Sequence, residues 1–223
     1  MESFPSFDFS YLFFDLDGTL TESAPGIIAS ARYALLKFGI DEKDDNALRR
    51  FIGPPLMDSF QDFYGFSTSD AKKAMAFYRE RYEETGIFEC SVFDGILSAL
   101  KKLKTAGKRL FVATSKPEIY AKKILERFEL SNFFEECIGS DLSENNSAKS
   151  LIIARALEKA GLCAGEKSAA MFGDRKHDIL GAKSNHIFSF GCLWGYGSRE
   201  EFLESGADFI LEKPNDLPLA LLN

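Results

Sequence analysis

The sequence predicts an α/β protein: a doubly wound parallel sheet with helices on both faces and an all-helical block inserted after the first strand. Three observations predict it. The apolar run Tyr11-Leu12-Phe13-Phe14 stops on Asp15-Leu16-Asp17-Gly18, and open α/β sheets place their polar, ligand-binding residues just beyond the carboxyl ends of buried strands. From residue 92 onward helical stripes alternate with short apolar runs, the pattern of parallel strands joined by right-handed crossovers. Between Thr21 and Cys90 the spacing is helical only. The expected division is an α/β core of residues 1–20 and 92–223 and a helical cap of residues 21–91, hinged near 20–24 and 91–94 and acting as a lid on the strand-end face.

The first strand carries the strongest chemical signal. A two-residue period points Asp15 and Asp17 toward one side, and Gly18 supplies the tight turn. Two carboxylates that close repel by roughly 3–4 kcal/mol at an effective dielectric of about 20. A divalent cation is the natural compensation, and a strand-end Asp beside a metal is a competent nucleophile toward phosphorus.

Four helices are expected in the cap, over 25–38, 44–52, 55–64 and 69–85, with Gly39 and Gly86 closing the first and last. Phe60, Phe63, Tyr64 and Phe66 are at spacing suited either to the cap's own core or to stacking on a nucleobase. Arg49 and Arg50 are either solvated or reach a second anionic group of a substrate.

In the core, a helix over 95–106 turns Ile96, Leu97, Leu100 and Leu103 inward and is closed by Gly107. A strand over 109–115 stops at Lys116-Pro117, and Pro117 opens the next helix, which runs through 128 on Tyr120, Ile124, Leu125 and Phe128. After a strand over 134–139, Ser147 caps a helix whose Leu151, Ile152, Ala156 and Leu157 face inward. Strands over 169–172, 187–193 and 209–211 complete the sheet.

The ends of these strands supply the rest of a site. Thr114-Ser115-Lys116 offers hydroxyls, backbone amides and a helix N-terminus to a phosphate oxygen. A cation is needed against the charge of nucleophile and phosphoryl group, and Lys149 and Lys116 compete for that part. Gly173-Asp174-Arg175-Lys176-His177-Asp178 brings two more aspartates, four apart on one side of an opening helical turn. Four aspartates on one sheet edge point to Mg2+, a hard cation that accepts carboxylates, water and phosphate together. Asp178 is equally placed to cap the following helix, and His177 reads as an exposed or helix-packing residue. Trp194 and Tyr196 follow a core strand at the same edge and would border its entrance.

Composition narrows the partners. With 27 Lys and Arg against 34 Asp and Glu, a formal charge of −7 argues against nucleic acid, whose binding needs a basic face. A small anionic substrate is still accommodated, its charge met locally. At 223 residues the fold should bury roughly 70–75% of its unfolded surface without staples. Cys90, Cys137, Cys163 and Cys192 have no paired spacing and read as reduced intracellular thiols. The first ten residues carry Glu2 and Asp8 rather than a basic and apolar leader, and no stretch approaches membrane-spanning length. The expectation is a cytoplasmic protein with no membrane partner, and nothing in the sequence fixes an oligomeric state.

Taken together, DLDGTLTES at 15–23, VATSKP at 112–117, Lys149, GDRKHD at 173–178 and LWGYGSREE at 193–201 resemble the haloacid dehalogenase superfamily. The pattern is most similar to its phosphoglycolate phosphatase-like and 5'-nucleotidase-like group with a helical cap. The resemblance covers nearly the whole chain. It implies a Rossmannoid core and Mg2+-dependent hydrolysis of a small phosphomonoester, phosphoglycolate or a nucleoside monophosphate. It also implies residue roles: Asp15 as nucleophile and metal ligand, Asp17 as general acid and base lending its backbone carbonyl to the metal, and Thr114, Ser115 and Lys149 holding the phosphate. Asp174 would bind the metal directly, with Asp178 standing behind it. One departure is that no proline follows Lys149.

Other readings are weaker on particular residues. A haloalkanoate dehalogenase has no alkoxide to protonate, so Asp17 counts against it. A phosphosugar mutase of the same superfamily leads one to look for a basic residue three positions after a cap-loop glycine, where Gly53 is followed by Leu56. A receiver-like signalling domain also phosphorylates a strand-end Asp, but such domains are much shorter and lack a lid. A noncatalytic phosphate-binding protein has no use for the full charged set.

Overall fold

The computed structural model describes residues 6–142 and 146–222; Glu2 of the N-terminal pattern lies outside them. It divides into two compact units, one of residues 1–21 and 92–223, the other Glu22–Ser91. The chain passes between them at the short strands β2 (Thr21–Glu22) and β3 (Ser91–Val92).

The first unit is built on a six-stranded, all-parallel sheet. Its strands are β1 (Tyr11–Phe14), β4 (Arg109–Pro117), β5 (Glu136–Ser140), β6 (Ala169–Gly173), β7 (Phe188–Cys192) and β8 (Phe209–Leu211), in the order β5-β4-β1-β6-β7-β8. The doubly wound sheet expected from the alternating pattern is therefore present. β1 lies at its centre because every residue of Leu12-Phe13-Phe14 is apolar and buried, the composition a strand covered on both faces requires. Register aligns the strand ends, with Phe14 opposite both Val112 and Phe172. Residues just past those three positions consequently meet at one edge.

Helices α5 (Ile96–Thr105), α6 (Glu118–Arg127), α7 (Lys149–Lys159), α8 (Lys176–Ser184), α9 (Arg199–Ser205) and α10 (Asp216–Leu221) flank the sheet. On one face Phe13, Phe111 and Met171 pack with Ile152, Ile153, Ala156 and Leu157 of α7 and Ala182 of α8. The two-residue period sends Phe14 and Phe172 to the other face, where Phe14, Phe172 and Phe190 stack in a row at 4.8 and 4.5 Å. Truncating a ring in that row should cost about 3–5 kcal/mol. No disulfide joins Cys90, Cys137, Cys163 or Cys192.

Several local expectations are corrected. Leu97 and Leu151 are 43% and 50% exposed, because the inward positions of their helices are Ile96, Ala99, Leu100 and Leu103, and Ile152, Ile153, Ala156 and Leu157. Each misassigned leucine lies one helical step outside its buried stripe. Ser147 is not a cap: α7 opens at Lys149 after Ala148. Pro117 opens α6 as its N-cap residue and not from within its first turn. It keeps an extended conformation (φ −52°, ψ 127°) and pairs with Ser140 as the last residue of β4. The pairing of β4 with β5 shifts between Ala113 and Pro117, so the strand is irregular where Thr114 and Ser115 sit.

The second unit contains α1 (Ala24–Leu36), α2 (Asp45–Arg49), α3 (Leu56–Tyr64) and α4 (Thr68–Glu84), followed by a 3-10 turn at Gly86–Phe88. Asp44 caps α2 by accepting from Asn46 N–H at 2.8 Å, and Ser67 caps α4 by accepting from Asp70 N–H at 3.1 Å. The aromatic residues pack with one another: Phe51 meets Phe60, Phe63 and Tyr64 at 5.0, 5.8 and 5.9 Å, and Phe66 meets Phe60 and Phe38 at 5.7 and 4.7 Å. Of the two roles open to those rings, core packing is the one the contacts fill. Arg50 lies over Phe63, 3.9 Å from its centre. Among the described residues no helix is long and apolar enough to cross a membrane.

Candidate active site

Asp15 is the first residue past β1, and its N–H donates to Phe172 O on the neighbouring strand at 2.9 Å. Its carboxylate takes two contacts through one oxygen: Oδ1 accepts from Leu16 N–H at 2.8 Å and lies 2.8 Å from Lys149 Nζ. The turn that follows is held by Leu16 O, which accepts from the N–H groups of Leu20 and Thr21, both at 2.9 Å. Gly18 takes φ +85° there, and a Cβ at that position would lie 2.1 Å from Asp174 Oδ2. Glycine is needed both for the backbone and for the space.

Lys149 enters from the first turn of α7 on the next face. Its ammonium donates to Ala113 O at 3.2 Å and forms ion pairs with Asp15 Oδ1 and Asp178 Oδ1, each at 2.8 Å. Close packing of α7 on α8 allows this, since a Cβ on Gly181 would sit 2.9 Å from Lys149 Cγ. Of the two lysines expected to compete, Lys149 joins the carboxylate cluster. Lys116 instead pairs with Asp17, Nζ to Oδ2 at 2.7 Å.

Asp174 follows β6 and is fully buried. Its Oδ2 accepts from Tyr196 N–H at 2.9 Å and its Oδ1 from Thr19 Oγ1 at 3.4 Å. Asp178, in the first turn of α8, serves the start of that helix as expected and also pairs with Lys149. Its Oδ2 caps the helix by accepting from Arg175 N–H at 3.1 Å, while Oδ1 faces Lys149. Gly173 makes room for it, because a Cβ there would meet Asp178 Cγ at 2.1 Å.

Oxygens of Asp15, Asp174 and Asp178 lie within 4.8 Å of one another. Three carboxylates thus gather where one ammonium touches two of them, and the imbalance shows in the proton affinities of Asp174 and Asp178. Burial, reinforced by the charges of Asp178 and Asp15, pushes the Asp174 carboxyl well above the usual carboxylate range. Burial pushes Asp178 up to about 6 although Lys149 opposes it. Burial alone would lower Lys149, but Asp15 and Asp178 outweigh it and hold the ammonium above its ordinary value. A hard divalent cation suits this all-oxygen donor set and its unbalanced charge.

Asp17, Thr114 and Ser115 lie apart from that cluster. The Asp17 carboxylate is engaged by Lys116, and its second oxygen, Oδ1, is buried without a hydrogen-bond partner. Ser115 donates its hydroxyl to Ser147 O at 2.8 Å, tying β4 to the entry of α7, whereas Thr114 is buried beside it and accepts from Lys116 N–H at 3.3 Å. Trp194 and Tyr196, expected only to border the entrance, are wired into the turn and the cluster: Trp194 Nε1 donates to Thr19 O at 2.9 Å, and Tyr196 acts through its backbone. The sequence signal for that close approach is the pair of glycines, Gly195 and Gly197, around Tyr196.

Comparison with known proteins gives the family of the chain. The family model described as haloacid dehalogenase-like hydrolase matches residues 12–192. A 5'-nucleotidase of Pseudomonas aeruginosa is 43% identical over 190 residues, covering 85% of each chain. The tyrosine-protein kinase PtkA of Mycobacterium tuberculosis is 39% identical over 191 residues, 86% of this chain and 64% of that one. A phosphoglycolate phosphatase of Vibrio cholerae is 30% identical over 205 residues, covering 88% and 90%. The crystal structure of a predicted phosphatase from Clostridium acetobutylicum superposes with a TM-score of 0.89 at 42% identity, covering 94% of this chain and 96% of that one. With its sheet, its strand-end carboxylates and a family match that spans most of its length, the chain belongs to the haloacid dehalogenase-like hydrolases.

Proposed function

We propose that this protein is a Mg2+-dependent phosphomonoesterase that works through an aspartyl phosphate on Asp15. Its substrate would be a small phosphorylated metabolite, with nucleoside monophosphates first because the 43%-identical relative is named a 5'-nucleotidase and phosphoglycolate second. The observation that carries the reading is the trio of Asp15, Asp174 and Asp178, whose oxygens lie within 4.8 Å of one another while Lys149 pairs with Asp15 and Asp178 alone. A fold has no structural reason to gather three carboxylates so closely.

Asp15, Asp174 and the backbone carbonyl of Asp17 would hold Mg2+, with Asp178 behind them. Mg2+, when bound, supplies charge compensation for the phosphoryl oxygens. The Asp15 carboxylate attacks phosphorus, the bond to the leaving oxygen breaks, and Asp17 delivers a proton to that oxygen. Water then attacks the phosphorus and gives its proton to Asp17. The bond from phosphorus to Asp15 breaks, which restores the carboxylate and frees inorganic phosphate. Lys116 fixes Asp17 through Oδ2, so the partnerless Oδ1 is the oxygen that carries the proton. Lys149 orients Asp15, and Thr114 with the amide of Ser115 holds a phosphoryl oxygen.

The test is Mg2+-dependent phosphate release across nucleoside monophosphates, 2-phosphoglycolate, sugar phosphates and a phosphotyrosine peptide, with Asp15→Asn as the blank. Acid-quenched wild type should carry a phosphoryl group on Asp15. Normal turnover by Asp15→Asn would sink the scheme.

A further inference from the structure

The segment after β7, residues 193–201, makes contacts that the proposed hydrolysis does not call on. Trp194 Nε1 donates to Thr19 O at 2.9 Å, in the turn that carries Asp15 and Asp17. Two residues later Tyr196 N–H donates to Asp174 Oδ2 at 2.9 Å. Glu201 Oε1 then accepts from Lys176 N–H at 2.7 Å and Arg175 Nε at 3.0 Å, just past Asp174.

Two glycines show how closely this segment lies on the site. A Cβ on Gly195 would be 2.3 Å from both Asp174 Cβ and Gly18 O, and one on Gly197 would be 2.2 Å from Asp174 O. One stretch of backbone is therefore wedged between the turn after β1 and the loop after β6. Thr19 closes the circuit, since its hydroxyl donates to Asp174 Oδ1.

We propose that Trp194 is a positioning residue for the divalent cation: its indole N–H fixes the Thr19 carbonyl, and with it the spacing between Asp15 and Asp174. The inference rests on the metal reading given above. Indole offers a single donor on a rigid ring, so Trp194→Phe keeps most of the packing and removes only the tie. Outer partners of metal ligands typically govern metal affinity by 10–100-fold. The effect should thus fall on cation binding rather than on the chemical step.

Trp194 is the only tryptophan of the chain, so tryptophan emission, excited beyond the tyrosine absorption band, reads this position alone. Three measurements test the proposal: Mg2+ binding by calorimetry, wild-type emission during the same titration, and the Mg2+ dependence of phosphate release. Wild-type emission should change in step with calorimetric saturation. Trp194→Phe should bind Mg2+ about tenfold more weakly and recover its kcat at saturating Mg2+, with metal-free melting unchanged. Equal Mg2+ affinity in wild type and variant would overturn the proposal. So would wild-type emission that stays constant while calorimetry shows binding, a measurement that stands even if the variant does not fold. If wild type itself fails to bind Mg2+, the metal reading falls and this inference falls with it, an outcome distinct from the other two.

Discussion

Lys116 Nζ lies 2.7 Å from Asp17 Oδ2, and the two side chains are only 6% and 15% exposed. The pair spans two strand ends, β1 and β4, that the register of the sheet brings together. A carboxylate gripped through one oxygen keeps the other at a fixed point, which is what a proton carrier needs. Lys116→Met should therefore lower kcat by about a hundredfold, the lower range for general acid–base catalysis, with little change in KM. Rapid-quench measurement of phosphoenzyme formation and decay should show both steps slowed. A variant with normal decay of the phosphoenzyme would separate Lys116 from Asp17 in function.

Lys149 is the opposite kind of lysine, since its removal exposes a conflict rather than a loose end. Without it, the carboxylates of Asp15 and Asp178 lose the only ammonium that touches them among the described residues. Breaking a buried ion pair by deleting one partner costs about 3–5 kcal/mol. Lys149→Met should lose stability of that order in urea unfolding with EDTA present and, if it folds, less with Mg2+ added. Its kcat should fall by at least about a hundredfold. Arginine should not rescue it, because the passage over Gly181 is already narrow at Lys149 Cγ.

The raised carboxyls predict how stability depends on pH without metal. Asp174 and Asp178 both bind protons more tightly folded than unfolded. Between the unfolded value of 3.8 and the folded value of about 6 for Asp178, the native state holds more protons, so stability falls as pH rises through that window. Above that window the metal-free protein carries the Asp178 charge at a cost, and the same burial penalises charging Asp174. Asp174→Asn should raise the metal-free Tm at pH 7 by roughly 3–6 °C, the shift expected for one to two kcal/mol at this chain length, and should abolish stabilisation by Mg2+. Calorimetric melting of wild type and variant at pH 5 and pH 7, with EDTA and with Mg2+, checks both halves. A variant that melts below wild type at pH 7 would mean that the buried carboxylate is a net support of the fold.

Much of this arrangement was legible because it is encoded locally. Asp15 and Asp174 follow buried strands and Thr114 ends the apolar run of another, and an apolar run that stops on a polar residue is visible without coordinates. The partners were harder, because contacts such as Lys116 with Asp17 or Trp194 with Thr19 depend on strand register and loop paths between residues 99 and 175 positions apart. Helical stripes identified the buried faces but erred at their margins: Leu97 and Leu151 are apolar residues one step off the stripe, and spacing alone does not separate a stripe's edge from its centre. Pro117 serves two elements at once, because its fixed φ suits the start of a helix and the end of a strand alike. The short helices α9 and α10 carry too few turns to show a period.

The aromatic residues of the helical unit give a final contrast between two rings of the same type on one helix. Phe60 is fully buried and meets Phe51 at 5.0 Å and Phe66 at 5.7 Å. Phe63 is half-buried, touching Phe51 at 5.8 Å, with the Arg50 guanidinium on its other side. Deleting the first opens a cavity in a closed cluster, while deleting the second mainly removes one edge contact and a cation–π pair worth about 0.5–1 kcal/mol at an exposed site. Phe60→Ala should thus cost about 3–5 kcal/mol and Phe63→Ala no more than about half of that. Urea unfolding followed by far-ultraviolet circular dichroism and by hydrogen exchange of α3 and α4 would resolve the two. Equal losses would show that Phe63 is as much a part of this core as Phe60.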